Sequence, residues 1–288
     1  MSRMAIALMW LLHFLPLGAL AAIGNAAGAI AYRLVRERRE VTRINLAKCF
    51  PAMKPAARER IARAHFRAFT RSLLERGVLA WASGERIDRL VRLRGLEHLR
   101  ALEGRPVLLL APHFVGLDAG VTRLTREMRI AGIYSVQKDP YLSDLLWRIR
   151  CRFSNTEQIS RQAGVRAAIA SLRSGRPFYY LPDQDYGARD SVFVPFFGVP
   201  AATVTGLSRL ARITGARVLP CLTRILPGGA GYEVTIEPPW ESFPSADPVA
   251  DTRRMNEYIE RRVLEMPEQY LWMHKRFKTR PPGEARFY

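Results

Sequence analysis

The chain has 288 residues, of which 48% are hydrophobic, so it contains enough apolar side chains for a sizeable core. Its formal net charge of +19 is extreme for a soluble metabolic enzyme. Such a charge favours an anionic partner, such as nucleic acid, an anionic membrane, an acidic protein or a phosphorylated ligand. The cysteines Cys49, Cys151 and Cys221 lie far apart in the sequence. Their spacing excludes a disulfide framework and a C-x-x-C zinc site, and it fits a reducing compartment.

Near the N-terminus, residues 4–32 contain no Lys, Arg, Asp or Glu. The run is longer than the about 20 apolar residues that cross a bilayer. His13, Pro16 and several glycines interrupt it, so a spanning helix and an interfacial helix both remain open. Arginines are frequent in residues 33–43, and the positive-inside rule then predicts a cytoplasmic location for the rest of the chain. A cleaved signal peptide is the alternative, because residues 19–21 resemble a cleavage site, but the apolar run continues beyond them.

Residues 33–83 are basic and have a helical pattern. Between residues 61 and 73, apolar side chains recur at helical spacing and alternate with arginines. This pattern is typical of a helix that lies on anionic lipid with its arginine stems covering apolar surface. A surface helix with solvated arginines is the alternative. In either case His65 is expected to be a packing residue.

From about residue 90, apolar runs of strand length alternate with helical patterns. Strands are predicted at residues 107–111, 130–136, 178–181, 217–226 and 232–237. Helices are predicted at residues 117–128, 142–153, 165–172, 203–213 and 251–264. This alternation predicts an α/β fold with a mainly parallel central sheet, flanked by helices and preceded by a membrane-associated helix. We therefore divide the chain into a membrane-anchoring segment, residues 1–35, and a main domain, residues 36–288, whose basic helical region at 36–85 leads into the α/β core.

A histidine follows the first of these strands directly. His113 comes after the apolar residues 107–111, and Asp118 lies five positions later at the start of the next helix. An imidazole oriented by a carboxylate suits the activation of a hydroxyl group, because the imidazole titrates near neutral pH. The alternatives are a structural histidine and an aspartate that stabilises the first turn of its helix.

A second polar cluster follows the strand predicted at residues 178–181. Asp183 and Asp185 lie in a turn that ends at Gly187, but two carboxylates supply too few oxygens for a cation, so no metal is predicted. The carboxylates are also able to anchor the turn through bonds to its backbone. Arg161 precedes a predicted helix and could present a fixed cation to a phosphate or an oxyanion.

Two further segments are rich in aromatic residues. Residues 191–200, which include Phe193, Phe196 and Phe197, are too apolar for an exposed loop, so they form either core or the wall of a hydrophobic pocket. Residues 267–281 mix aromatic and cationic side chains. This mixture suits nucleic-acid stacking or a surface facing lipid head groups, and composition does not separate the two.

Taken together and in this order, the motifs resemble those of the bacterial late acyltransferases of lipid A biosynthesis, the lauroyl and myristoyl group. The matching features are the N-terminal apolar segment, the pair His113 and Asp118, the Pro-Asp-Gln-Asp-Tyr-Gly turn at 182–187, the Val-Pro-Phe-Phe-Gly stretch at 194–198 with Ala-Ala-Thr at 201–203, and the segment 267–281. Several relatives have glutamate where this chain has Asp118.

The resemblance implies a reaction and a set of roles. His113 would be the general base, oriented by Asp118, for direct attack of an acceptor hydroxyl on an acyl-acyl carrier protein thioester. Arg161 would face the phosphate or oxyanion, and Asp183, Asp185 and Gly187 would shape the site. The three phenylalanines Phe193, Phe196 and Phe197 would contribute to an acyl pocket.

The resemblance also implies partners and a location. The acceptor would be a hydroxyacyl chain on a phosphorylated glucosamine disaccharide, the lipid A precursor. The acyl carrier protein, this acceptor and the anionic lipid of the inner membrane would be the partners, with the catalytic domain on the cytoplasmic side. No cofactor, metal or nucleic acid would be needed.

Three other functions remain as alternatives. A different envelope lipid, such as a lysophospholipid or an ornithine lipid, could be the acceptor, although glycerol-phosphate acyltransferases typically carry Phe-Pro-Glu-Gly-Thr-Arg where this chain has Pro-Asp-Gln-Asp-Tyr-Gly. A membrane-tethered nucleic-acid-binding protein would explain the charge but not the motifs. A hydrolase would use His113 and Asp118 to activate water.

Overall fold

The structure is a computed structural model that describes residues 3–134, 139–154, 156–160 and 164–288. The helices in these ranges are α1 (Arg3–Leu12), α2 (Leu17–Leu34), α3 (Arg36–Cys49), α4 (Pro55–Trp81), α5 (Gly84–Leu90), α6 (Leu96–Arg100), α7 (Leu117–Glu127), α8 (Pro140–Cys151), α9 (Gly164–Arg173), α10 (Gly206–Thr214) and α11 (Pro248–Glu265). The strands are β1 (Val91–Arg94), β2 (Val107–Leu110), β3 (Ala131–Tyr134), β4 (Glu157–Ser160), β5 (Phe178–Tyr180), β6 (Ser191–Phe196), β7 (Val199–Val204), β8 (Arg217–Ile225) and β9 (Tyr232–Ile236).

A seven-stranded sheet with the order β1-β9-β8-β2-β5-β3-β4 forms the centre of the protein. Its neighbouring strands are parallel, except for the antiparallel pair β8 and β9. All four residues of β2 are apolar and buried, as expected of a central strand covered on both faces. Leu108 and Leu110 belong to one core cluster, and Val107 and Leu109 belong to a second. The predicted α/β fold with a mainly parallel sheet is confirmed.

The neighbouring strands β2 and β5 position the candidate site. They run parallel, with Leu110 paired to Tyr180. Residues 113 and 183 each lie three positions beyond this pair, at the same edge of the sheet. Because the carboxyl ends of parallel strands meet at one edge, the two segments after β2 and β5 lie side by side.

The prediction of a helix over residues 203–213 was wrong at its start. Residues 203 and 204 belong to β7, which forms an antiparallel hairpin with β6, and the helix α10 begins at Gly206. Pairing in the hairpin places Val192 opposite Thr203 and Val194 opposite Ala201. This cross-strand pairing outweighs the local helical pattern. The edge strands β1 and β4 were not predicted, because their short, half-polar sequences become strands only through their neighbours in the sheet.

At the N-terminus, the apolar run is divided into two helices that pack on α4. Pro16 is the N-cap residue of α2. The backbones of α2 and α4 approach closely at two glycines: a Cβ at Gly24 would lie 2.6 Å from Arg71 Cα, and one at Gly28 would lie 2.5 Å from Arg67 Cα. The structure contradicts the prediction that α4 lies on lipid with its apolar face, because His65 and Ser72 on this face are buried, and Ile61, Ala68 and Phe69 pack partly buried against the core.

His65, on this buried face of α4, is a packing residue as predicted. It is fully buried, and its Nδ1 lies 3.0 Å from the backbone oxygen of Glu268. Burial lowers the pKa of His65 to about 4, so the ring is neutral at physiological pH.

The aromatic and cationic segment 267–281 packs into the core. Trp272 is 1% exposed, and Tyr270 and Phe277 are likewise buried. The guanidinium of Arg276 donates to the backbone oxygen of Ala202 at 2.9 Å and to the hydroxyl of Thr203 at 2.7 Å, so it joins this segment to the hairpin. Both interpretations of the sequence pattern, nucleic-acid stacking and a lipid-facing surface, are therefore contradicted by burial of the rings.

The close packing of α2 on α4 can be tested by adding volume at a glycine. We expect Gly28→Leu to lower the free energy of unfolding by about 1–3 kcal/mol, because the larger side chain has no room against the α4 backbone. The measurement is thermal unfolding in detergent, followed by circular dichroism. The matched control is Ala26→Leu, at an exposed position of the same helix. Equal melting temperatures for the two variants would contradict this packing.

Candidate active site

His113 is fixed by two hydrogen bonds to a single buried carboxylate. The backbone N–H of His113 donates to Asp183 Oδ2 at 2.9 Å, and the ring Nδ1 lies 2.7 Å from Asp183 Oδ1. An ionised carboxylate accepts only, so Nδ1 carries the proton in this bond. The backbone oxygen of His113 also accepts from the N–H of Leu271 at 3.0 Å. These contacts leave Nε2 as the nitrogen available to a ligand.

Asp183 is ionised although it is almost completely buried. Burial alone would raise the pKa of this carboxyl, but the charge of His113 and the two His113 hydrogen bonds outweigh burial, and the pKa is lowered. The residue therefore presents a fixed negative charge to the imidazole. Such a charge would stabilise an imidazolium at this position.

The carboxylate that holds His113 is thus different from the predicted one. The spacing predicts Asp118 as the partner of His113. In the structure, Asp118 instead contacts two arginines: its Oδ2 accepts from Arg76 Nε at 2.8 Å, and its Oδ1 lies 3.8 Å from a guanidinium nitrogen of Arg150. The reason is topological: β5 is the direct neighbour of β2 and brings Asp183 to the histidine, while the side chain of Asp118 faces α4 and α8. Burial opposes ionisation of Asp118, but the charges of Arg76, Arg150 and His113 lower its pKa.

Sequence reasoning missed Arg76 and Arg150. Both line the same cavity as His113 and Asp118. Neither has a distinguishing local pattern: Arg76 is one of several arginines on α4, and Arg150 lies in the last turn of α8. Arg161, the arginine that the sequence singled out, lies outside the described residues.

Asp185 has a different role from its neighbour in the turn. Its carboxylate accepts from the N–H of Gly187 at 2.9 Å and from the N–H and hydroxyl of Thr279 at 2.6 and 2.8 Å. Its own N–H donates to His274 Nε2 at 3.1 Å. Burial lowers the pKa of His274 to about 4, which keeps this ring neutral and able to accept. Asp185 therefore ties the turn to the C-terminal segment and does not contact His113.

Gly187 has a positive φ of 100°, a conformation that favours glycine. It lets the backbone of the turn fold back so that its N–H reaches Asp185. Within the ranges that the structure describes, no group of three or more His, Cys, Asp or Glu side chains is placed to hold a metal ion.

The three phenylalanines that were expected at an acyl pocket lie elsewhere. Phe196 is fully buried and packs near the Tyr270 ring, with a centroid separation of 5.7 Å. Phe197 packs against Phe50 at 4.9 Å, and Phe193 is 37% exposed. None of the three lines the cavity that contains His113. Hairpin pairing explains the positions of Phe193 and Phe196, because it directs alternate side chains of β6 to solvent and to the core.

A cavity of about 1270 Å³ lies at the carboxyl ends of β2 and β5 and along β3 and β4. It exceeds the usual range of about 300–1,000 Å³ for small-molecule pockets. Polar groups on its wall include His113, Asp118, Arg76, Arg150 and Gln184. Its apolar wall includes Leu117, Val121, Ile130, Gly132, Ile133, Leu142, Leu146, Val165, Ala168 and Leu210. The cavity thus brings His113 together with both charged and apolar lining residues.

Comparison with known proteins places the chain in a family. Residues 2–279 match the sequence profile of the bacterial lipid A biosynthesis acyltransferases. The chain is 35% identical to the lipid A biosynthesis lauroyltransferase of Escherichia coli (strain K12) over 286 residues, which cover 98% of this chain and 93% of the relative. It is 34% identical to the lipid A biosynthesis myristoyltransferase of the same organism over 275 residues, which cover 93% and 83%.

A solved structure, the 1-acyl-sn-glycerophosphate acyltransferase of Thermotoga maritima, is similar with a TM-score of 0.41 and 18% identity, covering 82% of this chain and 98% of that one. The family match spans nearly all of the sequence, including the segments that carry His113, Asp118 and Asp183. The chain therefore belongs to the bacterial lipid A biosynthesis acyltransferase family.

Proposed function

We propose that the protein moves a fatty acyl chain from an acyl carrier protein to a hydroxyl group of a lipid A precursor, with His113 as the general base. The observation that carries this proposal is the pairing of His113 with the buried, ionised Asp183 at the wall of a large cavity that has both polar and apolar lining residues. This pairing makes Nε2 the basic atom, at a place where a lipid hydroxyl and an acyl chain can meet.

The reaction then needs no covalent enzyme intermediate. Nε2 of His113 removes the proton from the acceptor hydroxyl while its oxygen attacks the carbonyl carbon of the thioester. A carbon–oxygen bond forms, the carbon–sulfur bond breaks, and the carrier thiolate takes the proton from the imidazolium. Asp183 acts as the positioning residue that stabilises the imidazolium through Nδ1.

Asp118 contributes in a different way from the one that its spacing suggests. It holds Arg76 by a hydrogen bond of 2.8 Å and attracts Arg150, and both arginines lie on the cavity wall. The charge of a protonated His113 in turn helps to lower the pKa of Asp118. In this proposal Asp118 stabilises the imidazolium at a distance, and Arg150 and Arg161 are the candidates for stabilising the thioester oxyanion.

The charge of the protein supports the proposed partners. A carrier protein rich in acidic residues, a phosphorylated acceptor and an anionic leaflet are all attracted by a net charge of +19. Two exposed arginines, Arg189 and Arg209, lie on the cavity wall, where they can meet acceptor phosphates. We place the catalytic domain on the cytoplasmic face of the inner membrane, where these partners would be available.

Transfer itself is the first property to test. We expect membranes that contain the wild-type protein to convert radiolabelled lipid A precursor to a heavier lipid when supplied with acyl-acyl carrier protein. His113→Ala should reduce the rate by at least about 100-fold, because general base catalysis is lost. The assay is run with acyl-acyl carrier proteins of several chain lengths and, in parallel, with a lysophospholipid in place of the lipid A precursor. Transfer to the lysophospholipid alone, or an unaffected His113→Ala variant, would contradict the proposal.

The role of Asp183 can be separated from that of its neighbour in the turn. We expect Asp183→Asn to lower kcat by about 10²–10⁴-fold with little change in KM, because the imidazolium loses its negative partner. The matched control is Asp185→Asn, which removes a buried carboxylate of the same turn that does not contact His113. Rates are measured per folded protein. A larger kcat loss in the control than in Asp183→Asn would contradict the assignment.

The apolar part of the cavity can be shortened at Gly132. A Cβ there has ordinary contacts, the nearest at 3.5 Å, so Gly132→Met is expected to fold and to fill part of the cavity. We expect the preference between long and short acyl donors to shift towards the shorter by at least about tenfold. Ala170→Met, at an exposed position of α9 that does not line the cavity, is the control. An unchanged preference in Gly132→Met would place the acyl chain elsewhere.

A further inference from the structure

The helices α9 and α10 present exposed arginines beside the cavity. Arg166 and Arg173 on α9 and Arg212 on α10 are exposed. The apolar side chains Val165 and Ile213, each next to one of these arginines in the sequence, are 57% and 48% exposed. We call these five residues the α9–α10 face. We propose that an acidic helix of the acyl donor protein docks on this face. The inference rests on the proposed function, because it locates the partner that would supply the acyl chain.

The positive charge of this surface is not balanced within the two helices. The sequences of α9 and α10 contain four arginines and neither aspartate nor glutamate. On α11, by contrast, Arg253 pairs with Glu257 at 2.8 Å. Arg209 on α10 lies 3.6 Å from the carboxylate of Asp190, and among the described residues the other three arginines have no carboxylate within ion-pair distance. The face is therefore a local excess of positive charge, which attracts an acidic partner.

The arrangement of the arginines fits an extended acidic surface better than a single anion. Arg166 and Arg173 are separated by about 10 Å along the axis of α9, and Arg212 lies on the helix that packs beside it. A single phosphate is too small to contact both arginines of α9, whereas carboxylates that recur along one side of a helix can follow them. Val165 and Ile213 add apolar contact area, and such a mixture of arginine and apolar side chains is common in protein–protein interfaces.

The α9–α10 face is continuous with the cavity that contains His113. Val165 and Ala168 of α9 line this cavity, as do Leu210 and Ile213 of α10. The cavity therefore extends between the two helices. A donor docked on the face would pass its acyl thioester between α9 and α10 towards His113, so that docking and delivery use one continuous surface.

The face and the first N-terminal helix lie on opposite sides of the central sheet. Ala168 and Leu210 belong to the core cluster that contains Leu108, whereas Met9 of α1 belongs to the cluster that contains Leu109. Neighbouring residues of a strand point to opposite faces of its sheet. A bilayer that contacts α1 would therefore leave the α9–α10 face to a partner in solution, which favours a soluble protein over lipid as its occupant.

Binding of the donor protein tests the docking surface directly. The probe is fluorescently labelled acyl-acyl carrier protein, titrated with full-length protein in detergent and followed by anisotropy. We expect the double variant Arg166→Glu with Arg173→Glu to raise the Kd by at least about tenfold, because attraction becomes repulsion. The matched control is Arg92→Glu with Arg261→Glu, which changes the net charge equally at exposed positions of β1 and α11. Its Kd should stay within about twofold of the wild-type value.

Equal weakening of binding in the two double variants would overturn the inference, because total charge and not this face would then govern binding. Absence of binding to the wild-type protein would also overturn it. Thermal unfolding shows whether each variant is folded. If charge reversal prevents folding, Arg166→Gln with Arg173→Gln replaces it, with an expected rise in Kd of at least about threefold, because both cations are lost but the helix propensity is kept.

Steady-state kinetics separate the donor protein from a lipid phosphate as the occupant of the face. We expect Arg166→Glu with Arg173→Glu to raise KM for acyl-acyl carrier protein by at least about tenfold and to leave KM for the lipid A precursor unchanged. A raised KM for the precursor with an unchanged KM for the carrier would assign the face to acceptor phosphates and overturn the inference.

Failure of this inference can be distinguished from failure of the proposed function, because anisotropy does not depend on activity. Active protein whose two double variants bind the carrier equally would reject the docking surface and retain the transferase. Inactive protein that loses carrier binding only in Arg166→Glu with Arg173→Glu would do the reverse.

Discussion

The candidate active site depends on one contact between two loops, the paired hydrogen bonds from His113 to the carboxylate of Asp183. The contact exists because β2 and β5 are parallel neighbours at the centre of the sheet. It fixes both the backbone and the ring of the histidine, and it selects Nε2 as the basic atom. Burial gives the contact its strength, since an ionised aspartate in a poorly solvated position stabilises a nearby cation more than an exposed one does.

Around this contact, the C-terminal segment provides a rigid support. Leu271 donates to the backbone of His113, and Thr279 donates to Asp185 two residues beyond Asp183. The same segment reaches the β6–β7 hairpin through Arg276. Residues far apart in the chain thus fix the turn that carries Asp183. General base catalysis, as proposed for His113, depends on distance and direction, and this support would serve it by keeping the imidazole in place.

The sequence predicted the sheet and the histidine but not the partner of the histidine. A buried apolar strand that ends in His113 is a local pattern, and local patterns can be recognised without a structure. The choice between Asp118 and Asp183 depends on strand order, which a single sequence does not contain. The role of Arg76 could not be predicted for a similar reason, because α4 carries several arginines and nothing in the local sequence distinguishes this one. The phenylalanines of β6 were misplaced because core and pocket wall have the same composition.

The central claim is that Asp183, and not Asp118, holds the imidazole of His113. The most direct measurement is a nitrogen-15 NMR spectrum of the detergent-solubilised protein with labelled histidine, using His113→Ala to assign the signal. We expect the His113 ring to carry its proton on Nδ1, with a signal that changes in Asp183→Asn and is much less affected in Asp118→Asn. A proton on Nε2, or a signal that responds to Asp118→Asn but not to Asp183→Asn, would contradict the account.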